Sequence, residues 1–328
     1  MIVKIASKNL LFGREPFEYS PGYVFVQDPA CEQYDWLVVF DDLKECEMLR
    51  CPPECTILAT WEPVSIKNYA TPFTSQFGHL LTNRPPQAEK HPHYHLGKGY
   101  FPWYNSRSYA ENQTFVIPPK TKLVSAVCSA KAMRWTKHHE RIQLLKRLVA
   151  EVPGAEWYGH GVQEFARKCD LMDSYRYHVA IENHIAPHYW TEKIADAYLC
   201  ECLPFYAGAP DLADDFPAES FIPIPVDNPA KAVDIVKRAI ANDEWEKRLP
   251  AIKEAKARLL AEYNFWAQVI KVIEAEKGQS VSAVDSARPR FLRSRKWLRK
   301  HSFRANLEDG VFHFKQYLSG VGLWPKMS

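Results

Sequence analysis

Two neighbouring groups of polar residues in the middle of the chain have the types and the spacing of a ligand site. The run YHVAI, residues 177–181, has the pattern of a buried strand and ends in the pair Glu182–Asn183. Ligands bind at the carboxyl ends of strands in parallel sheets. The pattern therefore predicts that this acid and this amide face a bound molecule.

The second group follows a short loop and marks the start of a predicted helix. It consists of Tyr189, Thr191, Glu192 and Lys193. Thr191 is a natural N-cap, and the free N–H groups of a helix N-terminus attract anions. Lys193 adds a mobile positive charge and Tyr189 an aromatic ring. This combination suits a nucleotide diphosphate with a packed ring, and a capped surface helix without a ligand is the alternative.

Two other clusters have weaker claims to chemistry. In HPHYH the residues His91, His93 and His95 alternate, so an extended strand would place all three on one face, as in a zinc site. The proline-rich context indicates a loop instead, and no HExxH pattern follows, so acceptor-loop or surface histidines are expected. Cys200 and Cys202 are expected to be buried structural thiols.

The elements that must position these residues alternate between strands and helices. This alternation predicts βαβ units, mostly parallel sheets and an α/β protein of two domains with a cleft between them. Pro250 is expected to break or kink the helical pattern around it. The predicted strands are 23–27, 36–40, 56–60, 123–129, 177–181, 203–208 and 220–224, and the predicted helices are 138–151, 191–200 and one that opens at Asn228–Pro229.

Length and composition exclude several classes of protein. The 328 residues suggest about two domains, and 46% hydrophobic with 25% charged residues is typical of a globular chain. A net charge of +3 argues against a dedicated nucleic-acid binder. The eight cysteines form no CxxC pair, and the chain has neither a signal-peptide pattern nor a run of ~18 apolar residues. A cytoplasmic protein with reduced thiols is expected.

Residues 286–304 form a separate basic block with eight Lys or Arg side chains and no acid. Its apolar residues scatter around a helical wheel instead of forming one stripe. One interpretation is a peripheral, electrostatic contact with anionic lipid on the inner face of the membrane. The other is a solvated basic helix packed against the body of the protein.

The chain resembles family 10 glycosyltransferases, the α1,3/4-fucosyltransferases, whose signature reads "FEN…YxTEK…P…G…FP…SFI". Ile181 stands where that family has Phe. Upstream, Ser129-x-Lys131, His139-x-Arg141 and the loop 157–161 resemble further family elements, so the resemblance covers about residues 122–275. The residues that match the signature are Glu182–Asn183, Tyr189-x-Thr191-Glu192-Lys193, Pro204, Gly208 and Pro217-x-x-Ser220-Phe221-Ile222.

The resemblance implies a GT-B fold, in which two Rossmann-like domains face a central cleft. The acceptor-side domain would span residues 1–118 and the donor domain residues 119–278, followed by the basic tail 279–328. The implied reaction is an inverting transfer of fucose from GDP-fucose to a hydroxyl of an oligosaccharide or glycolipid. The linkage would be α1,3 or α1,4 to a sugar of the N-acetylglucosamine or glucose type. No metal, other cofactor or nucleic acid is expected.

By matching position, the resemblance also assigns roles to residues of the donor half. Arg141 and Lys193 would contact the diphosphate and stabilise the departing GDP. Tyr189, Glu192 and Asn183 would hold guanosine or fucose groups. The full set of implied donor-binding residues is Ser129, Lys131, Arg141, Gly159, Glu182, Asn183, Tyr189, Thr191, Glu192 and Lys193.

The resemblance also implies that the general base lies in the N-terminal half, in a Glu-containing loop that follows a strand. Glu62 comes directly after the predicted strand 56–60 and is the candidate catalytic carboxylate. Asp41, Asp42 and Glu111 are its rivals, and an exposed loop glutamate without a catalytic role is the alternative.

Two other functions stay open at this stage. A fold does not fix the donor, so the chain could use a different GDP-sugar. It could also be a catalytically silent protein that binds a sugar or a nucleotide. A role in surface polysaccharide or lipopolysaccharide synthesis is expected, while the sequence leaves the acceptor undefined.

Overall fold

The computed structural model describes residues 1–129, 138–276 and 290–320, which form two compact units. Unit 1 comprises Met1–Pro102 and the described residues from Phe265 onward, and unit 2 comprises Trp103–Asn264. The described strands are β1 Ile2–Ser7, β2 Phe17–Ser20, β3 Tyr23–Val26, β4 Trp36–Phe40, β5 Glu47–Met48, β6 Thr56–Ala59, β7 His79–Thr82, β8 Tyr94–Leu96, β9 Lys122–Val127, β10 Ala155–Tyr158, β11 Tyr175–Ile181, β12 Leu203–Ala207, β13 Ile222–Pro223 and β14 Phe291–Leu292. The described helices are α1 Thr71–Thr74, α2 Tyr109–Thr114, α3 His138–Glu151, α4 Lys168–Met172, α5 Glu192–Leu199, α6 Pro229–Ala241, α7 Glu244–Ala261, α8 Phe265–Ala275, α9 Arg295–His301 and α10 Phe303–Gly320.

Unit 1 contains a seven-stranded sheet in the order β2-β3-β1-β4-β6-β7-β8. Within this sheet β2 pairs antiparallel with β3, and the other neighbouring strands are parallel. The central strands β4 and β6 are buried along their whole length, which explains why both read as continuous apolar runs. The strands predicted from the apolar runs at 23–27, 36–40 and 56–60 are confirmed.

The chain returns to unit 1 at α8, earlier than the predicted boundary at residue 278. The buried ring of Phe265 stacks on Phe12 with 4.3 Å between ring centroids and lies 5.7 Å from the ring of Phe40. Unit 2 also begins earlier than the predicted residue 119, because Trp103 packs against its core. Both differences arise from aromatic contacts between residues far apart in the sequence.

Unit 2 contains a parallel sheet of five strands in the order β10-β9-β11-β12-β13. One side of its core is formed by α3 and α6, which pack together, while α5 packs on β11 and β12. The helix α7 continues through Pro250, so the expected break there is absent. The predicted α/β class, with a mainly parallel sheet in each of two units as in GT-B proteins, is confirmed.

The described part of the basic tail, residues 290–320, is an integral part of unit 1. The short strand β14 pairs antiparallel with β5. Farther along, the backbone N–H of Arg295 donates to Asp42 over 3.0 Å, and Glu308 accepts a hydrogen bond from the N–H of Thr71 over 2.6 Å. Residues 290–320 therefore pack back on unit 1, which is one of the two alternatives predicted for the tail 279–328. Among the described residues, no helix has the length and the hydropathy needed to cross a bilayer.

Candidate functional site

Glu182 lies directly after β11 and fixes the start of α5. Its side chain is fully buried, and its Oε1 accepts a hydrogen bond from the backbone N–H of Thr191 over 2.8 Å. Its Oε2 accepts a second one from the Thr191 hydroxyl over 2.7 Å. The Thr191 oxygen in turn caps α5 by accepting from the N–H of Lys193 over 3.4 Å. The predicted N-cap is confirmed, and the strand end holds it in place.

The ammonium group of Lys193 lies among three side-chain oxygens at the start of α5. Its Nζ is 2.9 Å from Glu192 Oε1, 3.1 Å from Thr191 Oγ1 and 3.4 Å from Glu182 Oε2. Burial favours the neutral amine, but the attraction of the two carboxylates exceeds this effect and raises the pKa of Lys193. Lys193 therefore carries its charge throughout the physiological pH range.

The pKa values of the two carboxylates beside Lys193 shift in opposite directions. Burial raises the pKa of Glu182, and the charge of Lys193 opposes this effect only in part. Burial also acts on Glu192, but the charges of Lys193 and Lys168 outweigh it and lower the pKa of that carboxylate.

Lys168 was not found in the sequence analysis, because no spacing pattern connects this residue to the site. Its Nζ lies 2.7 Å from the buried carboxylate of Asp196.

The helix α3 brings a second cation to the carboxyl end of β11. Arg141 is buried, and its Nη1 donates to Asn183 Oδ1 over 2.6 Å. The positive charge of Arg141 repels that of Lys193 and so acts to lower the pKa of Lys193. The attraction of the two carboxylates is larger, so the net shift of that pKa is upward. Burial raises the pKa of the Cys128 thiol, while Arg141 and Lys193 both oppose that shift. Two cations held near each other against their repulsion are typical of an anion-binding site.

Two glycines keep the carboxyl edge of this sheet open. A Cβ at Gly208 would overlap the hydroxyl of Tyr206 and lie 2.6 Å from Cγ of Glu182. Gly159 has a positive φ of 136°, and a Cβ there would overlap the carbonyl of Cys128 and lie 3.1 Å from the backbone nitrogen of Ser129. The structure thus brings Ser129 and Gly159 together at the ends of β9 and β10. The predicted Lys131 lies outside the described residues.

The aromatic side of the site is ordered by the loop between β11 and α5. The buried ring of Tyr189 meets the ring of His184 edge-on, with 5.3 Å between centroids. His188 adopts a positive φ of 62°, and Asp211 accepts its backbone N–H over 2.9 Å. Asp211, which had no assigned place from the sequence, therefore anchors this loop.

Ser220 of the signature and several residues near the signature have structural roles in unit 2. The buried Ser220 hydroxyl lies 2.8 Å from the hydroxyl of Tyr198. Asp215 accepts a hydrogen bond from the Trp190 ring nitrogen over 2.8 Å. The fully buried Cys200 and Cys202 confirm the prediction of structural thiols.

Glu62 lies three residues after the end of β6, in unit 1. The backbone N–H groups of Trp61 and Glu62 both donate to the hydroxyl of Tyr69, over 3.0 and 3.3 Å. The Trp61 ring packs 5.3 Å from the ring of Phe40. The loop is thus held through its backbone and through Trp61.

The three rival carboxylates have structural partners. Asp41 binds the ammonium of Lys67 over 2.5 Å and the hydroxyl of Tyr69, and the buried Asp42 pairs with Lys8 over 2.7 Å. Glu111 belongs to unit 2, where it completes the capping box that begins α2. These contacts give each of the three a structural role, and the choice of Glu62 as the general base stays a prediction.

The HPHYH histidines are not all surface or loop residues. His91 is buried, and its two ring nitrogens lie 3.2 Å from the carbonyl of His93 and 3.1 Å from that of Phe77. His95 lies within β8. The strand forms because it pairs with β7, a contact that the local proline content does not reveal.

The polar cluster of unit 2 has the chemistry of a phosphate site. It combines the N-terminus of α5, the planar guanidinium of Arg141 and the ammonium of Lys193. A guanidinium donates two parallel hydrogen bonds to phosphate oxygens, and free N–H groups of a helix N-terminus add further donors. Oxygens of a diphosphate can replace Glu192 and Thr191 as partners of Lys193, because this side chain is 22% exposed.

Comparison with known proteins identifies the family of this unit. Residues 117–279 match the model of "Glycosyltransferase family 10 (fucosyltransferase) C-term". The chain thus carries a family 10 glycosyltransferase C-terminal domain, which is the family that the signature indicates. This domain contains every predicted donor-side residue.

Individual relatives match over shorter stretches. The alpha-(1,3)-fucosyltransferase FucT of Helicobacter pylori is 35% identical over 71 residues, 21% of this chain and 15% of that protein. The 4-galactosyl-N-acetylglucosaminide 3-alpha-L-fucosyltransferase 9 of Cricetulus griseus is 25% identical over 45% of each chain. The match thus spans less than half the length of either relative. A crystal structure of an alpha1,3-fucosyltransferase with GDP-fucose has a TM-score of 0.48 at 16% identity, covering 87% of this chain and 92% of that one.

Proposed function

We propose that this protein transfers fucose from GDP-fucose to a hydroxyl of an acceptor glycan, with inversion at the anomeric carbon. The observation that carries the proposal is the presence of two cations, Arg141 beside Asn183 and Lys193 beside Glu182, at the carboxyl edge of the unit 2 sheet within a family 10 domain. The named relatives are 1,3-fucosyltransferases, which supports the donor and favours an α1,3 linkage.

The leaving group explains why two cations are needed. In one in-line displacement, the acceptor oxygen bonds to the anomeric carbon while the bond from that carbon to the β-phosphate oxygen breaks. The bonding electrons pass to GDP, which gains negative charge in the transition state. Arg141 and Lys193 stabilise this developing charge more than the ground state, and so lower the barrier.

The remaining donor-side residues divide between direct contact and support. Asn183 positions the Arg141 guanidinium, and Glu182 and Thr191 position the start of α5. Tyr189, Glu192 and Asn183 are proposed to contact the guanosine or the fucose. No metal is required at this place in the proposal, since the two cations and the helix N-terminus supply the positive field.

Glu62 is proposed as the general base in unit 1. Its carboxylate would take the proton of the acceptor hydroxyl as the new glycosidic bond forms. The neighbouring Trp61 offers an aromatic face of the kind that packs against sugar rings.

The surface of α10 supports the predicted contact with anionic membranes. Its exposed apolar residues follow each other at intervals of four, four, three and three, so they share one face of the helix. The opposite face buries Ala305, Asp309 and Phe312 in unit 1. The neighbouring α9 presents exposed lysines. The apolar residues of the exposed face are Phe303, Leu307, Val311, Phe314 and Tyr317.

A donor panel tests the proposed activity. GDP-fucose, GDP-mannose and UDP-glucose are each mixed with the full chain, and both the melting temperature and transfer to an N-acetyllactosamine acceptor are measured. We expect GDP-fucose to raise the melting temperature and to be transferred. Transfer of GDP-mannose alone would assign a different GDP-sugar. Stabilisation by GDP-fucose without transfer to any glycan acceptor would favour a silent binding protein. The cytoplasmic location and a pathway of surface polysaccharide synthesis stay predictions.

A further inference from the structure

Three side chains of metal-ligating types meet in unit 1, apart from the residues assigned to the proposed transfer reaction. His79 begins β7, His95 lies in β8, and Glu276 follows α8 directly. His95 is the register partner of Leu81, two residues after His79, so both histidines lie on the same face of the sheet. The fold therefore brings together two imidazoles and one carboxylate that are 16 to 197 residues apart.

The distances between the ligand atoms fit a single ion. Nδ1 of His79 lies 3.2 Å from Nε2 of His95, and Oε1 of Glu276 lies 3.8 and 3.9 Å from these two nitrogens. Ligands bound at ~2.0–2.2 Å with tetrahedral angles are about 3.3–3.6 Å apart. A small closure of the carboxylate would complete this geometry.

The surroundings of His79 fix the ring in the form that binds a metal. Its Nε2 lies 2.9 Å from the carbonyl oxygen of Glu54 and must donate to it, because a carbonyl only accepts. The lone pair of the neutral ring is then on Nδ1, the atom that faces His95 and Glu276. A metal-bound histidine typically donates its other ring N–H in this way.

The three side chains are not sealed from solvent. The side chains of His95 and Glu276 are 21% and 13% exposed, so the ligand atoms are within reach of solvent. The geometry points to a zinc site formed by His79, His95 and Glu276, with water in the fourth position. Two imidazoles and one carboxylate are a common ligand set for zinc. Because the ion would join β7 and β8 to the end of α8, we assign it a stabilising role in unit 1.

Zinc binding by the full chain tests this assignment. After removal of metals with a chelator, zinc chloride alone is added, and bound zinc is measured by equilibrium dialysis. We expect one zinc per chain and a higher melting temperature. His95→Ala and Glu276→Gln should each weaken binding by at least about 10-fold, whereas the exposed His160→Ala should bind normally.

Cobalt provides the second measurement. Tetrahedral Co²⁺ absorbs visible light far more strongly than octahedral Co²⁺ at an adventitious surface site. Absence of zinc uptake, equal binding by all variants, or only a weak octahedral cobalt spectrum would overturn the assignment. If His95→Ala fails to fold, Glu276→Gln decides, because it keeps the size of the side chain. Neither measurement depends on transferase activity.

Discussion

Both carboxylate oxygens of Glu182 accept hydrogen bonds from Thr191, one from its backbone N–H and one from its hydroxyl. This pair joins the residue directly after β11 to the cap of α5. The same Thr191 oxygen also lies within hydrogen-bond distance of the Lys193 ammonium. A buried acid therefore determines where the helix begins and where its lysine stands.

Replacing Lys193 with alanine should lower turnover by about 10²-fold, because the departing GDP loses one of its two cations. Binding of GDP, measured by calorimetry, should also weaken. The exposed Lys253 on α7 provides the matched control, and Lys253→Ala should behave as wild type. Wild-type turnover in Lys193→Ala would remove this residue from the mechanism.

Replacing Glu62 with glutamine should lower turnover by roughly 10²–10⁴-fold, since the amide cannot take the proton. Affinity for GDP-fucose should hardly change, because the proposed base acts on the acceptor hydroxyl. Asp41→Asn is the comparison variant and should act mainly on stability, through the loss of its bonds to Lys67 and Tyr69. Retained turnover in Glu62→Gln would transfer the base to another carboxylate.

Replacing Gly208 with alanine should destabilise the fold by about 1–3 kcal/mol, the usual cost of an added methyl group in a packed core. The new Cβ would overlap Tyr206 and press on Glu182, so GDP binding should weaken as well. Gly310→Ala in α10 meets no atom within 4 Å and should be neutral or slightly stabilising. Urea denaturation of both variants measures the difference, and equal stability would contradict the predicted overlap.

The stability of the protein should fall on acidification through a contribution from His178. Burial lowers the pKa of this histidine well below its ordinary value, and its Nδ1 lies 2.8 Å from the hydroxyl of Ser125. Below a pH of about 6.5 the unfolded chain binds a proton that the folded chain does not, so unfolding becomes easier as the pH falls. Melting temperatures of wild type and His178→Asn between pH 7.5 and 5 should show a smaller decline in the variant. The exposed His160→Asn should keep the wild-type decline, and identical curves for all three proteins would exclude His178.

Binding to anionic vesicles should depend on the lysines of α9 and on the exposed apolar face of α10. Lys296 and Lys300 are exposed, and removing both with alanine should cost about 2 kcal/mol, or roughly 30-fold in affinity. Lys247→Ala with Lys253→Ala removes the same charge from unit 2 and serves as the control. Flotation with phosphatidylglycerol vesicles measures the effect, and equal flotation of both double variants would exclude this surface.

The sequence by itself determined the features that depend on neighbouring residues. The apolar runs predicted β4, β6, β9 and β11 because a buried strand is apolar along its length. The side chain of Thr191 predicted the start of α5, since an N-cap acts only two or three residues along the chain. The family signature could be found in the sequence for the same reason. Much of it lies in one short segment, between Glu182 and Ile222.

Only the tertiary structure decided the contacts between distant residues. Arg141 meets Asn183 across 42 residues, and Phe265 joins unit 1 by stacking on Phe12. His79 and Glu276 come together although nothing local in either segment relates them. Such contacts depend on how whole elements pack, and a periodic pattern along one segment carries no information about which other segment will cover it.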